Sequence, residues 1–549
     1  MIMNTIVMIK DVLAQRRGGA EVISNMNTVG VAFFSPPKPW RRTERPDFIR
    51  QEPSWSLAFP GIATKVAPTI NTSAIKNSAP LRLCARTVIS LFVVLLFTLL
   101  PSSFYLLAQP PVVSSSYRAI GDIIHPNIVL IMADDLGYGD LGCYGNTKNQ
   151  TPNIDALAAG GLRFTDFHSS GPMCSPTRAG TLTGLYQQRF GAKFDTALGG
   201  TRDYDSGLPL EAVTIAEVLK QKGYATGCFG KWHLGFLPPY FPTNQGFDEF
   251  RGLGSGDGDF FTHVDRSGNP DWWQDIELTP EEGYTTDLLT RHSVDFIERH
   301  RDEPFFLYVP HLAIHFPWQG PEDPPHRQAG TEYHEDKWGV IPDRSNVHPH
   351  VKAMIESLDK SVGNILAALK KEGLLENTLV IFTSDNGGYI NYSGGFENIS
   401  SNGPLRGQKT EVYEGGHRVP TIVSWPGKIK SGVTDETSHS TDWFPTFAKL
   451  AGKSTSGLQL DGLDLAPLLF EGESLPERNL FWRIRDTWAV RSGTWKLVHA
   501  NGDTGLFNLD DDLGETKDLA TQLPELVKAL KLSWRNWEAD VNASAKKYE

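Results

Sequence analysis

Three runs in this chain are apolar or β-branched almost without a break: Asn127–Ala133, Phe305–Val309 and Thr378–Thr383. A strand with one face in water alternates apolar and polar residues, whereas a continuous run fits a strand covered on both faces. Between the runs lie stretches with apolar residues at helical spacing, such as Ala212–Lys222 and Val351–Leu369. Buried strands alternating with helices specify an α/β fold, a large mostly parallel sheet flanked by helices, which we place in a domain over 120–452. After about Gly452 the texture changes. Asn479–Ile484, Thr487–Val490, Thr494–Val498 and Gly505–Leu509 are short, aromatic-rich segments separated by turns, and Pro524–Trp537 has helical spacing. Residues 453–549 are expected to form a C-terminal subdomain with a small antiparallel sheet and a terminal helix.

In doubly wound sheets ligands gather beyond the carboxyl ends of the strands. Two of those ends are acidic: the first run continues into Asp134-Asp135, and the last into Ser384-Asp385-Asn386-Gly387-Gly388. Three carboxylates and an amide oxygen form a hard, all-oxygen donor set suited to Ca²⁺ or Mg²⁺ rather than zinc. The same residue types also cap helices and open turns. A further feature is Cys174-Ser175-Pro176-Thr177-Arg178-Ala179-Gly180. Proline after Ser175 suits a first helical turn, which puts Cys174 at a helix amino end that favours an anion, with Arg178 nearby as an oxyanion ligand. Read alone, Cys174 is a reactive thiol or a small buried hydrophobe. The chain has no Gly-x-Ser-x-Gly elbow and no His-Glu-x-x-His. Nor do four cysteines without a C-x-x-C pair suggest a disulfide scaffold or a zinc ribbon.

Cys-x-Pro-x-Arg followed by Ala-Gly and Thr-Gly resembles the signature of the type I sulfatases, whose cysteine is oxidised by a separate formylglycine-generating enzyme. Further blocks resemble that family in order along the chain: Asp134-Asp135-Leu136-Gly137-Tyr138-Gly139-Asp140, Gly230-Lys231-Trp232-His233-Leu234-Gly235, Gly246–Phe250, His315-Phe316-Pro317, Ser384–Gly388, Leu405–Lys409 and Tyr413–Gly416. The resemblance covers roughly Pro126–Leu519 and implies the alkaline-phosphatase-like sulfatase fold. It also implies that Asp134, Asp135, Asp385 and Asn386, with residue 174, bind one divalent cation, usually calcium and less often magnesium. Formylglycine at 174 would be hydrated, and one hydroxyl would attack sulfur while Arg178, Lys231 and Lys409 neutralise the sulfate oxygens. Lys409 and His315 would assist the departing alcohol, and His233 would help deprotonate the second hydroxyl so that sulfate leaves. His311 competes with His315 for its place, and the His-x-Pro context favours His315. Gln408 and Thr410 stand where the family often has glycine, and His417 where an apolar residue is usual, which bears on the substrate side.

The implied substrate is a sulfated carbohydrate or aryl sulfate. Phe260, Phe261, His263, Trp272 and Trp273 offer either an aromatic platform for a sugar or packing within a long loop. His263 is also carried over as a substrate contact, because its segment resembles one that touches substrate in some relatives. Nucleic acid is not an expected partner. The net charge is −12, and residues 1–88 hold 12 Lys/Arg against 5 Asp/Glu, a surplus of seven that leaves −19 for the rest.

Residues 1–80 show no sustained periodicity and read as an extension without fixed structure, or as a stretch upstream of the true start. Residues 81–110 are basic, then apolar over Val88–Leu100, then small and polar, the order of a signal peptide. Extended through Phe104–Leu107, the segment is instead a membrane anchor. The expected protein is therefore exported, and contacts membrane only if this segment is retained. Amino-terminal sequencing of exported protein should find its first residue within about ten positions of Ala108, where the apolar run gives way to small residues. A terminus upstream of Val88 contradicts the export reading.

Overall fold

The continuous Asn127–Ala133 run is the middle of the fold. In the computed structural model, which describes residues 125–200, 202–333 and 346–548, it pairs in parallel with Phe305–Pro310 on one side and Thr378–Ser384 on the other. Ala225–Lys231 and Glu249–Leu253 extend the sheet in the same sense, giving five consecutive parallel strands. Short antiparallel strands finish both edges. Thr421–Ser424 and Leu162–Phe164 lie beyond Thr378–Ser384, and Trp273–Gln274 and Glu277–Leu278 lie beyond Glu249–Leu253. With Gly432–Thr434 the sheet has ten strands among the described residues. The α/β class and mostly parallel sheet expected from sequence are both present. Segments 1–80 and 81–110 lie outside the described residues.

Successive side chains of the central strand point to opposite faces, and both faces are covered. Val129 and Ile131 join one core with helices Pro152–Gly160, Thr285–Arg299 and His348–Lys371. Ile128, Leu130 and Met132 join another with Cys174–Thr183, Ile215–Lys220 and Trp443–Leu450. Burying each such side chain contributes about 1.5–3 kcal/mol, which is why the strand is apolar after Asn127, whose buried amide is hydrogen-bonded to Thr378 and to the Phe305 N–H. The helix expected over Ala212–Lys222 is shorter because a capping box starts it. Thr214 accepts from the Glu217 backbone N–H and the Glu217 side chain accepts from that of Thr214. Among the described residues no helix is long and apolar enough to cross a membrane.

The C-terminal segments form a four-stranded antiparallel sheet of Asn479–Ile484, Thr487–Ser492, Trp495–Ala500 and Asp503–Asn508. The last helix, Pro524–Ala545, runs eight residues further than expected, because Val541 and Ala545 continue the buried face begun by Trp534 and Trp537. This sheet is tied to the rest by buried charge. Both Nη atoms of Arg491 donate to Asp166 at 2.7 Å, and Arg418 Nη1 lies 3.2 Å from the same carboxylate. Burial opposes ionisation of Asp166, but Arg491 and Arg418 outweigh it and hold its carboxyl well below the ordinary 3.8. A depressed carboxyl stabilises the fold above its unfolded pKa, so this contribution is full above about pH 4 and fades as pH falls toward the folded value. Asp166→Ala leaves two buried guanidiniums under-paired and should cost about 3–5 kcal/mol in urea unfolding at pH 7. A loss below about 1 kcal/mol would mean that solvent screens this network as it does a surface pair.

Candidate active site

Ala133 pairs with Ser384, so the next residues of the two strands leave the sheet side by side. Those residues are Asp134 and Asp385, both fully buried. Asp135 follows in a left-handed conformation, φ 62°, which a residue with a Cβ rarely adopts. Its backbone N–H donates to Asp385 Oδ1 at 3.2 Å, while Asn386 Nδ2 donates to its Oδ1 at 2.8 Å. Gly387 is required here, since a Cβ would stand 1.8 Å from the carbonyl of Gly415.

Three cations face these three acids. Arg178, one turn into the Cys174–Thr183 helix, donates Nε and Nη2 to Asp385 Oδ2 at 3.1 and 2.8 Å, and Nη1 to the carbonyl of Lys231 at 2.6 Å. Lys231 ends the Ala225–Lys231 strand and its ammonium is bonded to Asp134 Oδ2. Lys409 Nζ lies 2.6 Å from Asp135 Oδ1 and donates to Cys174 Sγ at 3.2 Å. Cys174 is the first residue of its helix, as its sequence context indicated, 2% exposed, with Sγ 3.6 Å from Asp134 Oδ1. Burial pushes its thiol up to about 12. Burial and then the neighbouring Asp385 push Asp134 up to about 8, whereas Arg178, Lys231 and Lys409 outweigh burial at Asp385 and hold it below the usual range. Burial disfavours charge on Lys409 too, but Asp135 and the groups around it together outweigh burial and hold it well above its ordinary value.

Both expected histidines are here with defined ring nitrogens. His315 Nδ1–H donates to the carbonyl of Phe316 at 2.8 Å, which turns Nε2 toward the cluster, 3.8 Å from Asp135 Oδ2. His233, at φ 55°, donates from Nε2 to the Leu198 carbonyl at 2.9 Å, leaving Nδ1 buried without a protein partner among the described residues. Burial first and Lys231 second hold both rings well below 6.5, so both are neutral at pH 7. His311 is elsewhere, buried against Ser361, and burial pushes it to about 3.

His263 is not brought to the cluster. It is 2% exposed and stacked on Trp272 at 4.3 Å, and its charged neighbours are Asp259 and Glu281. Phe260 and Trp272 are likewise in the core, whereas Phe261 and Trp273 are half-buried. The aromatics beside the cluster are others. Tyr389 and Tyr392 are half-buried, meet edge-on at 4.5 Å, and Lys409 Nζ stands 5.1 Å from the Tyr389 ring. Gln408 fixes their loop, its side-chain oxygen accepting from the N–H groups of Ile390 and Asn391. Both tyrosines follow the second acidic strand end, the signal that should have drawn attention to them. His417 pairs Nδ1 to Nδ1 with His168 at 3.0 Å in the buried network below the C-terminal sheet.

The donor set fits a hard divalent cation. Asn386 Oδ1 is buried with no protein partner among the described residues, and Asp134, Asp135, Cys174 and His315 offer donor atoms within 4.8 Å of one another. Three carboxylates balance three cationic side chains, so a dication would leave a surplus of positive charge for an anion.

A family model described as Sulfatase matches residues 126–453. Arylsulfatase A from Homo sapiens is 36% identical over 469 residues, covering 74% of this chain and 86% of the relative. N-acetylgalactosamine-6-sulfatase from Rattus norvegicus is 35% identical over 395 residues, covering 68% and 71%. Among solved structures, Ps i-CgsB in complex with k-i-k-neocarrahexaose superposes with a TM-score of 0.66 at 31% identity, covering 75% of this chain and 92% of that one.

Proposed function

The chain belongs to the sulfatase family, an enzyme family that hydrolyses sulfate esters, and from that premise we propose that it acts on a sulfated carbohydrate or aryl sulfate through residue 174 and one divalent cation. The observation that carries this reading is Cys174 at a helix amino end, between Lys409 and Asp134, inside a buried set of three acids and three cations. The carbohydrate half is supported by the name of the N-acetylgalactosamine-6-sulfatase relative and by likeness to a protein crystallised with a neocarrahexaose.

Asp134, Asp135, Asp385 and Asn386 would hold the cation, calcium in our reading, beside residue 174. When bound, the cation draws charge from a sulfate oxygen, and the hydrated aldehyde made from Cys174 by a formylglycine-generating enzyme supplies the nucleophilic hydroxyl. Lys231 and Lys409, no longer needed to neutralise Asp134 and Asp135, present two ammonium groups to the remaining sulfate oxygens. Arg178 stays on Asp385 and fixes the cluster from below. The free Nδ1 lone pair of His233 accepts a proton as sulfate is expelled, and Lys409 and His315 attend the departing alcohol. The catalytic domain in this reading is 120–452, and 453–549 is a subdomain buttressing it. Export rests on the order of residues 81–110.

Mature protein coexpressed with the generating enzyme should hydrolyse 4-nitrophenyl sulfate, lose most of that activity to a chelator and regain it with Ca²⁺. Lys409→Ala should lower kcat/KM about 10²–10³-fold, the usual effect of removing one preorganised charge donor. Full activity and cation content in both Asp135→Ala and Asp385→Ala would overturn the cation assignment. In Cys174→Ser a single hydroxyl can attack sulfur but no second one can expel sulfate. That variant should stop after about one turnover with sulfate left on the peptide containing residue 174, and sustained turnover contradicts the mechanism.

A further inference from the structure

The aromatic strip beside Lys409 ends on a guanidinium that the chemistry above does not use. From Tyr389 and Tyr392 it continues to Phe316, whose ring lies 5.7 Å from that of Tyr392 and 4.0 Å from that of His315. Arg266 Cζ stands 5.2 Å from the centre of the Phe316 ring. Arg266 is also near enough to His315 to be among the charges that oppose its protonation.

Its surroundings leave it with charge and donors to spare. Nε and Nη2 both donate to one oxygen, Oδ2 of Asp257, at 2.9 and 2.6 Å. The same carboxylate is already held by Arg327, buried at 1% exposure, with Nη1 3.5 Å from Oδ1 and Nη2 3.4 Å from Oδ2. Two guanidiniums on one carboxylate leave one net positive charge. Protonation cannot raise that surplus, because the two arginines outweigh burial and hold Asp257 well below the usual carboxylate range. The Arg266 side chain is 38% exposed, and its Nη1 has no hydrogen-bond partner among the described residues. Arg266 is the nearer partner of Asp257, and Arg327 remains on that carboxylate from inside when Arg266 is replaced. On a chain with 64 acidic and 52 basic residues, a partly exposed arginine that shares its one carboxylate with a second arginine suits an anionic ligand.

We propose that Arg266 is a substrate-binding residue that holds a second anionic group, a carboxylate or a further sulfate, on the sugar that carries the scissile ester or on its neighbour. This rests on the sulfatase reading and narrows it to polyanionic oligosaccharides. The half-buried Tyr389 and Tyr392 supply aromatic area along the sugar, and the planar Arg266 fork supplies the directed contact.

The test uses the full mature protein, with 4-nitrophenyl sulfate turnover as readout and three matched disaccharides as competing ligands: one monosulfated and otherwise neutral, one with a second sulfate, one with a uronate carboxylate. The wild type should bind at least one dianionic member about 10- to 100-fold more tightly than the monosulfated one, the range expected for a charge-assisted bidentate contact. The member preferred identifies the anion. Arg266→Gln should bring that ratio to within about twofold of unity, and Arg266→Lys should keep part of it as a point charge without the fork. Asp257 keeps Arg327 in both variants, and a thermal midpoint taken for each separates lost anion binding from lost folding. A wild type that does not prefer or bind the dianionic members, or a ratio that survives in Arg266→Gln, overturns the subsite while aryl sulfate hydrolysis persists. A mature protein that hydrolyses no aryl sulfate fails earlier, at the sulfatase reading, and takes the subsite with it.

Discussion

The parallel register of the Asn127–Ala133 and Thr378–Ser384 strands sets the position of everything at the site. Pairing Ala133 with Ser384 makes Asp134 and Asp385 emerge together, and a slip of one residue would send one of them to the opposite face. Carboxylates placed this way in a dry interior repel, and each buried ion costs several kcal/mol before it is paired. The effect is visible at Asp134, pushed up to about 8 by burial and then by Asp385. Arg178, Lys231 and Lys409 answer that charge from a helix, a strand end and a loop, so three separate elements are held to one point by electrostatics. The same balance readies the site for function. In the proposed function, a cation taking the carboxylates would free two ammonium groups for an incoming anion.

Part of the backbone strain among the described residues lies in the same place. Asp135, His233 and Thr410 all have positive φ without being glycine, and each such residue costs on the order of 1–3 kcal/mol unless its surroundings enforce it. Thr410 is held by its N–H donating to the carbonyl of Pro172, two residues before Cys174, which links the Lys409 loop to the start of the reactive helix. Gln408 on the other side of Lys409 pins the tyrosine loop. The two positions where the chain departs from the glycines common in its family thus fix the lysine from both sides.

The parts of the fold readable in the sequence were those buried on both faces. Asn127–Ala133, Phe305–Val309 and Thr378–Thr383 carry no polar interruptions because helices cover them from either side, and their observed limits differ by at most one residue. Edge strands such as Trp273–Gln274 and Gly432–Thr434 are two or three residues long, too short for a period to register. At the site, Asp134, Asp135, Asp385 and Asn386 were legible because strand ends place them, and Cys174 because Pro176 and Arg178 frame it. Arg266 and Arg327 were not, since long loops bring them together and local spacing says nothing about where a loop returns. His263 shows the same effect in reverse: its sequence context looks exposed and functional, and the loop folds it onto Trp272.

The central claim is that residue 174 acts after oxidation rather than as a thiol. Its most direct test is mass spectrometry of the peptide spanning Cys174, taken from preparations that differ in specific activity because maturation was more or less complete. The account predicts that aryl sulfate hydrolysis rises in proportion to the fraction of residue 174 carrying the aldehyde, and vanishes in preparations holding only the thiol. Full activity in protein whose residue 174 is wholly unoxidised cysteine would contradict it.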